Sequence, residues 1–253
     1  MSDNRYVLAD EVSKTLRLLN LLDHIYQKVC SQVIGSALSE RQYILLGHVL
    51  RAKAISKSSL LLAESGALEE VWILSRSLTE LVINCGYLYI APEQEVTNFI
   101  YLDGHKIVNQ AKKLMQHRPP TAQLPDSLTA SVEEMASGAR NRTGLKDNNQ
   151  SWSRYQDLAS RAQETDKHYI NKDFYTLQLT AVPYGNAGTH STMFSLVWSL
   201  HEVVGNTMAP HERRLSMLGG AVHIIVLAIN LMCLLLDEKH ALGLKHDIVS
   251  ACS

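Results

Sequence analysis

VWILSRSLTELVINCGYLYI, residues 71–90, is apolar around most of a helical circumference. Val71, Trp72, Ile73, Leu74, Leu78, Leu81, Val82, Ile83, Cys85 and Leu88 leave it no broad polar face. A surface helix carries one apolar stripe, whereas a helix apolar on all sides belongs inside a fold. The stretch therefore predicts a buried central helix, and with it a bundle. Its polar residues make a second point. Arg76, Glu80 and Asn84 fall at i, i+4 and i+8, on one narrow strip. A guanidinium or a carboxylate taken out of water costs on the order of several kcal/mol unless it is paired. The strip thus asks for partners elsewhere in the chain.

Outward from this helix the apolar spacing stays helical, with no run of strand-like alternation. The six prolines punctuate at Pro92, Pro119, Pro120, Pro125, Pro183 and Pro210. A first helix is predicted from about Asn4 to Val33, with Leu8, Val12, Leu16, Leu19, Ile25 and Val29 inward, ended by Gly35. Ser39 caps a second, with Glu40 in its first turn, running to about Ala63 before Gly66. The central helix ends near Pro92, and a fourth covers about Glu93 to Met115. Further helices are expected at Trp152–Glu164, Phe174–Val182, His190–Val204 and His211–His240. The expected architecture is an all-α, multi-helix bundle of about eight or nine helices in one domain, residues 1–253. Residues 117–150 hold three prolines, a basic loop and few large apolar groups. They are expected to be a partly mobile excursion, with a short helix at Asp126–Ala139.

Composition narrows the function classes. Of 253 residues, 46% are hydrophobic and 19% charged, a globular balance. Lys+Arg numbers 24 against 25 for Asp+Glu, so no global basic field draws nucleic acid and any such contact is local. Cys30, Cys85, Cys233 and Cys252 form no C-x-x-C pair, and three of them lie in apolar helical patterns; buried free thiols suit a reducing cytosol. The N-terminal MSDNRYVLADEVSK is charged and lacks the apolar core of a signal peptide, so a cytoplasmic location is expected. LSMLGGAVHIIVLAINLMCLLL, residues 215–236, has no formal charge over about a bilayer's length. His223 and Asn230 interrupt it on one face, and the other helices are too amphipathic to join it in lipid. It reads as a central helix of a bundle rather than a membrane span, with both polar side chains hydrogen-bonded inside.

Two segments carry candidate chemistry. In YGNAGTHS, residues 184–191, two glycines and Asn186 suit a turn, and Thr189 or Asn186 suits the cap of a following helix. His190 would then sit in a first helical turn, where the dipole favours the neutral imidazole that acts as a base. Tyr184, Asn186 and His190 are also the distant partners that Arg76, Glu80 and Asn84 require. The bland alternative is a capped turn beside a structural ion pair. In RQYILLGH, Arg41 and His48 share a helix face and fit the loose R-x4-6-H pattern of HEPN ribonucleases, although Gln42 stands where a small polar residue is usual. This pair is the weaker alternative site. The sequence holds no H-E-x-x-H, Walker loop, dinucleotide fingerprint or nucleophile elbow, and neither a metal nor a cofactor is expected.

SRSLTELVINCGYLY resembles the Arg-x-x-x-Glu helix of an uncharacterised all-α bacterial family, in which a Tyr…Ser-x-x-x-His element follows. That family is a domain of unknown function, and the HEPN superfamily is its suggested wider relative. The resemblance covers about a third of the chain and places Arg76, Glu80, Tyr184 and His190 on the matching positions. Asn186 or Ala187 stands near the family's Ser, which weakens a nucleophile there. The resemblance implies a bacterial soluble helical protein, often of a phage-defence or toxin-type setting, and names no activity. The reading drawn from the residues is an HEPN-like effector that binds or cleaves RNA without a metal. His190 would move a proton, Arg76 would steady phosphate charge, Glu80 would orient one of them, and Tyr184, Asn84 and Asn186 would complete the pocket. RNA and a second copy of the chain are the expected partners. The rival is a non-enzymatic helical interaction module whose Arg76/Glu80/His190 network is structural.

Overall fold

The computed structural model describes residues 3–33, 37–116, 130–131, 134, 137–138, 141–143, 151–189 and 209–252. It is an all-α multi-helix fold, with no strand among the described residues. The helices are α1 (Asp3–Val33), α2 (Glu40–Glu64), α3 (Leu68–Ile90), α4 (Glu93–Gln116), α5 (Leu158–His168), α6 (Phe174–Thr189), α7 (Ala209–His240) and α8 (Lys245–Cys252).

Two helices make the centre. α3 buries Val71, Leu78, Val82, Ile83, Cys85, Tyr87 and Leu88 on several sides, as its all-round apolar sequence requires. α7 does the same with Val222, Ile225, Ile229, Met232 and Leu236. α2, α5, α6 and α7 pack against α3, α1 lies along α7, and α8 closes against α1. Leu215–His240 is long and apolar enough to cross a membrane, and 72% of its most apolar window is buried inside the fold. His223 departs from expectation. Its side chain is 53% exposed, and Nδ1 lies 3.0 Å from Glu11 Oε2 of α1. It pins two helices at the surface rather than inside. Leu16 likewise faces out, 50% exposed, while Leu18 and Leu22 fill the core.

The helix ends follow local chemistry. Ser39 Oγ accepts from the Gln42 N–H at 3.2 Å, and the Gln42 side chain accepts from the Ser39 N–H at 3.0 Å, a complete capping box. At the other end of α2, Gly66 takes φ +77. There the Ala67 N–H donates to the Leu62 carbonyl and the Gly66 N–H to that of Ala63, a Schellman stop.

α6 corrects the reading most. The turn expected after Val182 is helical backbone through Pro183, Gly185, Asn186 and Gly188 to Thr189. The helical backbone continues past Val182 despite the poor propensities of these residues. α5 starts at Leu158 rather than Trp152, where Asp157 caps it through the Ser160 N–H at 2.7 Å. α8 has no counterpart in the sequence reading. The helix expected at 190–204, and most of the excursion at 117–150, lie outside the described residues.

Candidate functional site

The site region is where α5 and α6 meet α3. Gly86 makes the contact. A Cβ there would stand 2.9 Å from both Phe174 Cε1 and Thr165 Cγ2, so only glycine admits α5 and α6 this closely. Tyr169 Oη donates to the Gly86 carbonyl at 3.1 Å. The Asp166 carboxylate accepts from the Phe174 and Tyr175 N–H groups at 2.9 and 3.0 Å, which fixes the start of α6. α6 thus begins beside Gly86, four residues before the end of α3, and packs extensively along it. It must therefore run back antiparallel toward the Arg76 end.

Along this junction several buried polar atoms have no hydrogen-bond partner: Arg76 Nε, Thr79 Oγ1 and Asn84 Oδ1 on α3, Arg161 Nε on α5, and Gln178 Oε1 on α6. Buried polar groups are nearly always satisfied, so five on three adjoining helices mark a place where polar chemistry is expected. Arg161 is the least exposed cation among the described residues, at 7%. Its Nη1 donates to the Tyr155 carbonyl at 3.0 Å, and its guanidinium stacks over the Trp152 ring at 5.2 Å. Burial lowers its pKa, and the charge of Glu80 acts in the opposite direction. Half-buried Arg76 and exposed Glu80 are one turn apart on α3, and the charge of Glu80 acts on buried Arg161. Such a set can hold an anion through N–H donors that are already desolvated.

Three expectations change here. Glu80 is exposed rather than buried, because the strip leaves the core at its middle residue. Among the described residues no ion pair joins it to Arg76. His190 and the side chains of Tyr184 and Asn186 lie outside the described residues, so their convergence on Arg76 remains an expectation. The turn invoked to place His190 is helical through Thr189. Arg161, Thr79 and Gln178 were missed. A signal for Arg161 exists: it is a cation on the stripe of Leu158, Ala162 and Thr165, the face that α5 buries.

The weaker pair separates into different roles. Arg41 Nη2 donates to the Ala91 carbonyl at 2.7 Å and to Glu93 Oε1 at 2.7 Å, Nε donates to the same carboxylate at 3.0 Å, and Nη1 donates to the Leu88 carbonyl. It closes the C-terminal carbonyls of α3 and ties α2 to the start of α4. His48 Nδ1 lies 2.9 Å from the Ile44 carbonyl and its ring packs 5.4 Å from Phe99, with burial lowering its pKa. Each guanidinium nitrogen of Arg41 reaches an acceptor, so the spacing reports a shared helix face and a structural clamp. Beside it lies a mostly apolar cavity of about 190 Å³. At its rim the Tyr89 hydroxyl stands 3.0 Å from His240 Nε2, and His240 Nδ1 3.2 Å from Gln32 Oε1. Among the described residues no cluster of His, Cys, Asp and Glu is placed to hold a metal ion.

An all-α bundle with a polar junction on its central helix is the class that fold and site define. The chain belongs to a family of unknown function, DUF5677, whose profile matches residues 42–202, more than half of its length. The match runs from α2 through α6 and includes Arg76, Glu80, Asn84, Arg161 and Gln178. No match to a curated protein or to a solved structure was found.

Proposed function

We propose that this chain is a cytoplasmic RNA-binding effector of HEPN-like type, with the α3–α5–α6 junction as its phosphate-recognising site. Arg76 and Arg161 engage a backbone phosphate, Asn84 and Gln178 offer polar contacts, and His190 moves the proton in metal-independent cleavage at a 2′-hydroxyl. The observation that carries this reading is the pair of buried, unpartnered guanidinium Nε atoms on adjoining helices. An oxyanion supplies the acceptors they lack. RNA as the source of that oxyanion comes from the HEPN-like reading of the sequence, and the bacterial defence or toxin-type setting from the family resemblance.

The test is binding and cleavage of labelled single-stranded RNA at low salt. Arg76→Ala and Arg161→Ala are expected to weaken binding about tenfold or more, the scale of a lost charge-assisted contact. His190→Ala is expected to bind as wild type and to cleave nothing, and to relieve growth arrest when the protein is expressed. Wild-type protein that binds no RNA would sink the proposal. One observation favours the rival module: Arg161 already bonds Tyr155 and stacks on Trp152, as a structural cation does. Under that reading both arginine variants lose stability and no RNA is bound.

A further inference from the structure

α2 is apolar on two opposite faces. Leu45, Val49, Ala52, Leu60 and Ala63 face the core. On the other side Tyr43, Gly47, Leu50, Ala54, Lys57 and Leu61 recur at alternating steps of four and three, the spacing of a coiled-coil seam. All six are exposed, Tyr43 by 71%, Leu50 by 48% and Leu61 by 67%. Gly47 is the informative member. A Cβ added there would meet nothing within 4 Å, so packing within the chain does not require glycine. Mid-helix glycine weakens a helix relative to alanine. Its benefit has to come from something that approaches α2 from outside.

We propose that this seam docks a second copy of the chain, α2 against α2, antiparallel. In one register about a two-fold axis, Tyr43 lies over Ala54 of the second copy and Leu50 over its Gly47, each contact occurring twice. At the Tyr43–Ala54 and Leu50–Gly47 steps large side chains meet small ones, which lets two helices approach closely, and Leu61 lies beyond the overlap. The same register sets Glu40 against Lys57 at both ends of an overlap about 25 Å long. Glu40 keeps 47% side-chain exposure, with Thr97 Oγ1 donating to it at 3.2 Å and Arg142 Nη1 3.9 Å away, so a partner lysine would share its carboxylate with both. The unlike charges favour this arrangement. A parallel pairing would instead stack Lys57 on Lys57 and Tyr43 on Tyr43, like on like, with no small residue opposite a large one. The inference is independent of the RNA reading.

Sedimentation velocity of the full chain, up to about 100 µM, tests it. The wild type is expected to reach a dimer. Leu50→Lys and Gly47→Leu change positions that are exposed or open, so helical content and melting should hold while dimerisation weakens about tenfold or more. Lys57→Glu should weaken it too, and the double exchange Glu40→Lys with Lys57→Glu should restore it. A wild type that stays monomeric overturns the proposal, as does a dimer that Leu50→Lys and Gly47→Leu leave intact. Failure of the double exchange to restore what Lys57→Glu lost overturns the antiparallel register.

Discussion

Arg41 and Arg76 occupy comparable positions, each on a helix that packs against its neighbours, and they end up opposite in chemistry. Arg41 finds the Leu88 and Ala91 carbonyls and the Glu93 carboxylate, and each of its guanidinium nitrogens reaches an acceptor. Arg76 presents a buried Nε with no acceptor, and Arg161 across the junction does the same. A cation at a helix interface is therefore no guide to function by itself. What separates the two is the count of acceptors within reach, because a satisfied guanidinium resists a new ligand and an unsatisfied one gains from it.

The largest effect that tests this contrast is on stability at the Arg41 end. Arg41→Ala removes bonds to two α3 carbonyls and a carboxylate, and should cost about 2–4 kcal/mol in chemical denaturation. A loss near zero would mean that the clamp contributes nothing and that the two arginines are alike. Gly86→Ala comes next. The added methyl meets Phe174 and Thr165 at 2.9 Å, and overpacking of this kind costs about 1–3 kcal/mol, partly offset by alanine's better helix propensity. The same variant should perturb the junction and lower RNA affinity, whereas Arg41→Ala should spare affinity in whatever fraction stays folded.

Acid should also distinguish the ends. Burial holds the pKa of His48 and of His240 below the ordinary histidine value, so the folded state favours their neutral forms. As pH falls below about 6.5 the unfolded chain binds more protons than the folded one, and stability declines. It is fully present above that value. Denaturation midpoints at pH 7.5 and 5.5 should fall together for wild type and Arg76→Ala, while His48→Gln should flatten the difference. The smallest expected change is the stability of Arg76→Ala itself, within about 0.5–1 kcal/mol, since its Nε gives up no bond. A loss of about 3–5 kcal/mol, the scale of a broken buried pair, would transfer Arg76 to the structural class.

Much of the fold was legible because burial follows periodicity. The all-round apolar pattern of residues 71–90 and of 215–236 marked the two central helices, and Ser39 and Gly66 marked the ends of α2. The failures have physical causes. Propensity marked PYGNAGT as a turn, but the backbone there is helical through Thr189. Spacing put Arg41 and His48 on one face, but no spacing reveals the carbonyls at the end of α3. The Arg76 strip was expected to find partners at Tyr184 and His190, whose side chains lie outside the described residues, and Glu80 is exposed rather than buried. The second guanidinium, Arg161, sits in a segment whose start was misplaced by six residues, between Trp152 and Leu158, which hid the face it shares with Ala162 and Thr165.

The pairing of α1 with α7 and of α3 with α7 sets the order in which this molecule can assemble. Both interfaces join segments separated by more than a hundred residues, so their formation waits on closure of a long loop. α1 and α3 leave the ribosome well before α7 exists to cover them. A nascent chain ending near residue 200 carries the α7-facing sides of α1 and α3 without their mate. Such an intermediate is sticky, and chaperone dependence during synthesis should track the arrival of α7. Truncation within α7 is expected to yield aggregated protein rather than a smaller folded unit.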